Sequence, residues 1–217
     1  MVKNDIKEFN MIYADNIVSK SLFAGLSISI AGYIYLSTSN TILGAILFSI
    51  GLLSCVITDS PLFTGKSGFI SDRYDFRRLL LVLILNLFAA CLFGFISSLL
   101  DQNVQTAADQ LVSIRLNTDL FSFTIKSLIT GFLMTLAIES EKNNSNHLVL
   151  ILAVLAFISA GCYHCIADMF YYSASSLVTN NFAPILFRLL ITIMFNFIGC
   201  CLYTLFINKS FINKSIK

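Results

Sequence analysis

Two ionisable side chains, His164 and Asp168, lie inside a long apolar run of the sequence. A histidine titrates at a pH of about 6.5 before any perturbation, so it can donate either a hydrogen bond or a proton. Ionisable groups are costly in hydrocarbon, and where they occur they usually face the interior of a helix bundle or a water-filled pathway. The run 161–170, which contains both residues, is therefore the first candidate for a functional site.

The composition of the chain indicates an integral membrane protein. Of its 217 residues, 57% are hydrophobic and 12% are charged, and the mean hydropathy is +0.82. A soluble domain typically carries about 25% charged residues. The net charge of +2 gives no signal for binding nucleic acid. All six cysteines lie in apolar segments, where thiols behave as small hydrophobes, so no disulfide framework is expected.

Six apolar segments approach the length of a membrane-spanning helix, which needs about 20 mostly apolar residues. These segments are 21–37, 42–57, 79–100, 120–138, 148–167 and 185–207. They define an all-α transmembrane domain over 21–208, between an N-terminal arm (1–20) and a C-terminal tail (209–217). Pro61 and Gly65 follow the second segment and predict a break at membrane depth. Irregular backbone survives there only inside protein or against a water-filled cavity.

Lysine and arginine residues are concentrated in the arm, in the loop after the second segment and in the tail. Because positive residues favour the cytoplasmic side, both termini are predicted to be cytoplasmic, in an inner (plasma) membrane. The opposite side then carries Arg115, Lys126 and Arg188.

The sequence also contains an internal repeat. Residues 78–92 match residues 188–202, and the match pairs Asn86 with Asn196. Three spans separate the copies, so the two halves (about 21–100 and 120–208) have opposite orientations and form an inverted 3+3 repeat. In transporters built this way, broken helices meet near the midplane and hold the substrate there. The repeat therefore predicts that the break at 61–65 lies close to 164–170.

The residues at these breaks resemble the formate/nitrite transporter family. The run 62–65 (Leu-Phe-Thr-Gly) is similar to the family's Leu-Phe-Thr-Gly loop. The run 163–170 (Tyr-His-Cys-Ile-Ala-Asp-Met-Phe) is similar to its Glu-His-Ser/Cys-Ile/Val-Ala-Asn-Met-Phe motif, and 195–199 to the Gly-Asn-Ile-Ile-Gly segment of its last span. Three positions depart from the pattern: Tyr163 replaces the glutamate, Asp168 replaces the asparagine, and Lys66 stands where asparagine often follows the loop glycine.

The resemblance implies an aquaporin-like protomer with six spans and two broken helices, assembled as a homopentamer with one pore in each protomer. It implies passage of small monovalent anions such as formate, nitrite or hydrosulfide, either passive or coupled to H+. No enzymatic activity, cofactor or metal is expected. Carried over by motif, four side chains would form hydrophobic constrictions: Phe48, Leu52, Phe63 and Phe157. Thr64 and His164 would face each other at the centre, and Asn196 would support the broken helices.

Several roles stay open at this point. Asp168 is either paired with His164 or Lys66, protonated as a mimic of asparagine, or a helix cap. Lys66 either attracts anions or only marks the cytoplasmic side. Thr64 either meets the anion or satisfies loop backbone.

Other functions compete with a channel. One is a non-conducting membrane scaffold of channel descent. The other is a membrane enzyme that uses Cys162, Cys165, His164 and Asp168, for example with a metal, although a structural metal site needs a fourth ligand. The sequence offers no long loop with a cofactor motif, which favours the channel.

Overall fold

The computed structural model describes the backbone of residues 2–69, 73–144 and 147–214, and the side chains of 16–68, 75–141 and 147–207. Over these ranges the chain is helical and contains no strand. The α-helices, in chain order, are α1 (Val2–Ser37), α2 (Thr41–Ile57), α3 (Phe63–Lys66), α4 (Arg73–Leu100), α5 (Gln102–Asn117), α6 (Leu120–Asn144), α7 (His147–Ser159), α8 (Cys165–Ala174) and α9 (Phe182–Lys214).

Four of these helices are long and apolar enough to cross a membrane. The qualifying stretches are Asn16–Ser37, Asp75–Leu100, Leu120–Glu141 and Phe182–Ile207. Two further apolar helices, α2 and α7, are shorter, and each is followed after a break by a second short helix, α3 or α8. The apolar segments predicted from the sequence therefore fold as helices, and the chain is an all-helical protein of the multi-pass membrane type.

The break predicted after the second segment is present. The α2 helix ends at Ile57, and Asp59 adopts a left-handed backbone conformation with φ 47, which aspartate tolerates better than most residues. The next helix, α3, begins at Phe63, two residues after Pro61.

The fifth segment, 148–167, was predicted as one apolar run, and the structure corrects this to two helices separated by a break. Its helix, α7, ends at Ser159, and Gly161 adopts φ +63, a conformation that glycine reaches without steric cost. The chain re-enters a helix only at Cys165, with His164 as the N-cap of α8. His164 and Asp168 therefore do not share one face of a continuous helix. Asp168 is also not the cap, since it lies within the first turn of α8.

Residues 101–119 lie between the third and fourth predicted segments, and most of them form a helix, α5, that was not predicted. Asp101 caps this helix, because its side chain accepts hydrogen bonds from the N–H groups of Asn103 and Val104. The helix is amphipathic, and one face is buried at helical spacing. That face consists of Val104, Ala108, Val112 and Arg115. It packs against α1, α4 and α8, so α5 belongs to the core of the fold.

The long helices pack in two similar sets. The α1 helix contacts α2 and α4, and α6 contacts α7 and α9, while α2 packs on α7 and α8 on α4. Gly131 is required where α6 and α9 cross, because a Cβ atom there would collide with the backbone carbonyl of Asn196. In the first set, Gly25 of α1 packs in the same way against the carbonyl of Asn86.

Candidate functional site

Asn196 ties the break before α8 to its neighbouring helices. The residue is fully buried on α9, and its Oδ1 accepts the N–H of Cys165 at 2.9 Å. Its Nδ2 donates to the carbonyls of Ser127 (2.7 Å) and Tyr163 (3.0 Å). One amide therefore satisfies the first N–H of α8 and a carbonyl on the irregular side of the break, both groups that have no helical partner.

Asn86 makes the corresponding bonds at the other break. Its Oδ1 accepts the N–H of Phe63 at 3.0 Å, and its Nδ2 donates to the carbonyls of Ser21 (2.7 Å) and Pro61 (3.3 Å). Phe63 and Cys165 are 102 positions apart, whereas the asparagines are 110 apart. The sequence offset that pairs the asparagines therefore shifts by eight residues at the breaks, so that Leu62 corresponds to His164.

His164 and Thr64 meet where the two breaks approach each other. Nε2 of His164 lies 3.0 Å from Oγ1 of Thr64, and these residues are 2% and 0% exposed. Nδ1 of His164 accepts the backbone N–H of Ala167 at 3.3 Å, so Nδ1 carries no proton. A neutral imidazole then carries its proton on Nε2, which donates to the Thr64 oxygen. The hydroxyl hydrogen of Thr64 is left as a donor.

Aromatic rings lie beside this polar pair. Phe48 of α2 and Phe157 of α7 meet edge to face with ring centroids 6.3 Å apart, and Phe157 stacks on His164 at 6.1 Å. Both phenylalanines are buried. Two of the four predicted constriction residues are thus in contact with each other, and one of them contacts the histidine.

The same phenylalanines line a cavity of about 120 Å³, called here the Arg115 cavity. Its lining combines these rings with tyrosines, the central histidine and one pair of charged residues: Tyr35, Phe48, Leu111, Ile114, Arg115, Phe157, Ile158, Gly161, Cys162, Tyr163, His164, Ala167, Asp168 and Tyr171. A cavity needs only about 10–15 Å³ to hold one water molecule, so this volume accommodates a small ion with part of its hydration shell.

Arg115 and Asp168 form a buried ion pair in the wall of this cavity. Nε and Nη2 of Arg115 donate to the same oxygen, Oδ1 of Asp168, at 3.0 and 2.8 Å. The side chains are 8% and 0% exposed. Nη1 of Arg115 donates to the carbonyl of Leu111. Asp168 therefore pairs with an arginine of α5, and the predicted alternatives, His164 and Lys66, are not its partners.

Tyrosine rings enclose the guanidinium. The Cζ atom of Arg115 lies 5.2 Å from the ring centroid of Tyr163 and 5.0 Å from that of Tyr171, within the range of cation–π attraction. Tyr163 stacks on Phe123 at 4.2 Å, and its hydroxyl lies 3.0 Å from that of Thr118. The residue that replaces the glutamate of the family motif is thus a rigid wall of the Arg115 cavity.

The remaining predicted site residues, Leu52, Phe63 and Lys66, do not line the Arg115 cavity. Leu52 and Phe63 are buried in the hydrophobic core. Lys66 is exposed at the end of α3 and lines a second cavity of about 20 Å³ together with Asp59. Among the described side chains no cluster of His, Cys, Asp and Glu is suited to holding a metal ion. Among these side chains, Cys162, His164 and Cys165 therefore do not form a metal site with another His, Cys, Asp or Glu.

Sequence reasoning missed the role of Arg115, which was used only as a marker of the side opposite the cytoplasm. The available signal was the helical spacing of Val104, Ala108 and Val112, because continuing it places Arg115 on the same buried face. It also missed Arg188, whose Nη2 donates to the carbonyls of Leu116 (3.3 Å) and Thr118 (2.7 Å) at the end of α5.

Solved structures share this fold. A pentameric formate channel with formate bound aligns with a TM-score of 0.78 at 21% identity, covering 94% of this chain and 98% of that chain. A structure described as an FNT family ion channel aligns with a TM-score of 0.79 at 18% identity, covering 92% of this chain and 91% of that one. The sequence has no significant match among curated proteins. The fold is thus that of a membrane channel.

The family model for formate/nitrite transporters matches residues 1–210, nearly the whole chain. The chain therefore belongs to the formate/nitrite transporter family, and the resemblance drawn from its motifs is confirmed. The family and the two structural neighbours are transporters and channels, not enzymes.

Proposed function

We propose that this protein is a channel for small monovalent anions of the formate class, with nitrite and hydrosulfide as further substrates. The observation that carries the proposal is the contact between Thr64 and His164 (3.0 Å), which lies where two broken helices meet beside the Phe48–Phe157 ring pair. It is supported by membership of the transporter family and by the fold of a formate channel.

The proposed architecture follows from the same features. Four long helices and two broken pairs, α2 with α3 and α7 with α8, give six spans in an inverted repeat. The matching bonds of Asn86 and Asn196 support this symmetry. Both termini are then cytoplasmic in the plasma membrane, and α5 lies on the opposite face. Because a structural neighbour is a pentamer, we expect a homopentamer with one pore in each protomer.

His164 acts in this proposal as a hydrogen-bond donor. Charging the ring would place a proton on Nδ1, break the N-cap bond to Ala167 and add positive charge at the positive end of the α8 dipole. The neutral ring avoids these costs and still presents Nε2–H. At the centre, the carbonyl-type oxygen of the acid replaces the Thr64 oxygen as the acceptor and takes a second hydrogen bond from the Thr64 hydroxyl.

The phenylalanine rings set the condition for passage. Desolvating an isolated carboxylate costs many kcal/mol, and neutralising it removes most of that cost. Formate therefore crosses the apolar contact of Phe48 and Phe157 as the neutral acid, which couples its flux to H+. Since the neutral His164 supplies no proton, the proton travels with the acid. The predicted constriction roles of Leu52 and Phe63, and the attraction of anions by the exposed Lys66, belong to the opposite entrance.

A liposome flux assay tests the function. Purified protein in vesicles should pass formate, nitrite and hydrosulfide faster than acetate or lactate, and faster at the lower of two pH values. Vesicles that pass none of these above the protein-free rate would contradict the proposal and favour the non-conducting scaffold.

Two variants test the role of His164. His164→Asn keeps an N-cap oxygen for Ala167 but removes Nε2–H, whereas His164→Phe removes both functions. We expect both variants to lose formate flux, and His164→Asn to keep wild-type thermal stability. Unchanged flux and pH profile in the stable His164→Asn variant would refute the role.

A further inference from the structure

We propose that Arg115 and Asp168 form an entrance site in the Arg115 cavity that takes a small planar oxyacid together with its proton. Arg115 donates to the carbonyl-type oxygen of the acid, and Oδ2 of Asp168 accepts its O–H. This inference rests on the proposed function, because it names the form in which that channel picks up its substrate.

The hydrogen bonds of the ion pair leave two N–H donors of Arg115 and one oxygen of Asp168 unused. A guanidinium has five N–H donors, of which three go to Oδ1 of Asp168 and to the carbonyl of Leu111. Because both bonds to Asp168 end on Oδ1, Oδ2 is buried without a hydrogen-bond partner among the described residues. A buried carboxylate oxygen without a partner costs free energy, and both residues line the cavity, so a ligand there has a reason to supply the missing bond.

The chemistry of the pair selects the protonation state of the ligand. A deprotonated oxyanion would meet the guanidinium on one side but Oδ2 of Asp168, also an acceptor, on the other. The undissociated acid offers a carbonyl-type acceptor for the unused N–H groups of Arg115 and an O–H donor for Oδ2 of Asp168. If the proton moves to Asp168, the anion stays on Arg115 and the total charge of the site is unchanged, so one proton enters with each anion.

The cavity wall sets the shape of the ligand. Tyr163 and Tyr171 flank the guanidinium with centroids 5.2 and 5.0 Å from Cζ, and Tyr35 packs on Tyr171 at 6.4 Å. These rings leave a narrow space of about 120 Å³ in total. A planar acid with a very short carbon chain fits such a space better than a branched or longer one.

Few other charges reach Asp168. The titratable or charged groups around it come from α1, the break before α8, α8 itself, α5 and α9: Tyr35, Tyr163, His164, Cys165, Tyr171, Tyr172, Arg115 and Arg188. The span 79–100 of α4 contains no charged residue. Tyrosine and cysteine are uncharged near neutral pH. Arg188 is bound through Nη2 to the carbonyls of Leu116 and Thr118, and the Lys126 ammonium lies over the Tyr163 ring, 5.8 Å from its centroid; both are cations that hold their charge near neutral pH. Proton uptake with the acid is therefore assigned to Asp168.

Calorimetric titration of the purified full-length protein with sodium formate tests this site. The titration is run in buffers of different ionisation enthalpy, at a pH where free formate is deprotonated, so that the dependence of the heat on the buffer counts the protons taken up. We expect about one proton per formate. If wild-type protein binds formate without taking up a proton, or binds no formate at all, the inference is wrong, and no variant is needed to decide this.

Variants test whether the Arg115–Asp168 pair binds the ligand or only holds α5 against α8. Asp168→Asn leaves Arg115 uncompensated, so formate should bind more tightly by roughly tenfold or more and without proton uptake. Arg115→Gln should abolish the binding. The double variant Arg115→Gln/Asp168→Asn keeps a neutral hydrogen-bonding pair, so it should fold but bind no formate.

Asp109→Asn is the matched control. Asp109 also anchors α5, through Ser175 and Ser176, but it does not line the cavity. This variant should keep the wild-type affinity for formate and the wild-type number of protons taken up. If Asp109→Asn and Asp168→Asn lose formate affinity equally, the ion pair only holds α5 in place and does not bind the ligand. Formate flux without proton-linked binding would support the channel function and refute this binding site. Proton-linked binding without flux would support the binding site and refute the channel function.

Discussion

Replacing Asn196 by alanine should destabilise the protein measurably, because two backbone groups at the break lose their hydrogen-bond partner at once. The N–H of Cys165 and the carbonyl of Tyr163 both depend on this amide. The carbonyl of Ser127 also loses a bond, but it lies within α6, where the helical hydrogen-bond ladder continues to use it.

The magnitude follows from these two groups. A buried donor or acceptor left without a partner costs about 1–3 kcal/mol, which gives about 2–6 kcal/mol for the pair. Polar bonds inside membrane proteins are often worth less, because the reference state in the membrane also finds partners. We therefore expect the lower end, about 2 kcal/mol, which corresponds to a fall in melting temperature of about 4–8 °C for a chain of this size.

Heating the detergent-solubilised protein and measuring the fraction that stays soluble and assembled gives this melting temperature. Asn86→Ala should show a similar fall, because Asn86 makes the same set of bonds at the other break. Asn117→Ala is the control, since its side chain bonds only to Ser113 at the exposed end of α5. The reasoning is refuted if Asn196→Ala melts no lower than Asn117→Ala.

Two further predictions concern the stability of the fold. Gly131→Ala should lower the melting temperature by more than Gly161→Ala, because the new Cβ meets the Asn196 backbone at a helix crossing, whereas at Gly161 only the strain of φ +63 opposes it, roughly 1–2 kcal/mol; equal effects would contradict the close approach of α6 and α9. Hydrogen bonds from the Tyr33 hydroxyl and from backbone N–H groups, chiefly that of Val104, lower the pKa of Asp101. The stabilisation from its ionised form is thus present above about pH 4 and lost as the pH falls through the lowered value. Asp101→Asn should then flatten the fall in melting temperature between about pH 5 and pH 3, and an unchanged slope would count against it.

The sequence predicted the long helices well, because each is an unbroken apolar run. Such a helix can be predicted from its local sequence alone, without knowledge of the residues that it contacts in the fold. The break after α2 was predictable from Pro61 and Gly65. A second broken helix was implied by the family resemblance, but its place before α8 was not predicted, because 148–167 stays apolar and only Gly161 marks the turn of the backbone.

The candidate site was predicted in part. The meeting of His164 with Thr64 followed from the repeat and from the motif, both of which are local patterns. The partner of Asp168 did not, because Arg115 is 53 residues away on a helix that hydropathy alone does not reveal. Which partner a buried carboxylate takes is decided by tertiary packing, and no spacing rule along one chain segment encodes it.

The anchoring of α5 has a consequence for the order of assembly during synthesis. The groups that bind the middle and the C-terminal end of α5 all follow it in the chain: Ser175 at Asp109, Asp168 at Arg115 and Arg188 at Thr118. When α5 leaves the ribosome, Arg115 has no carboxylate to accompany it out of water, so this face of the helix cannot dock until α8 has been made. The second half of the protein is thus needed to finish the packing of a helix that precedes it, and a chain truncated before Asp168 should leave α5 undocked.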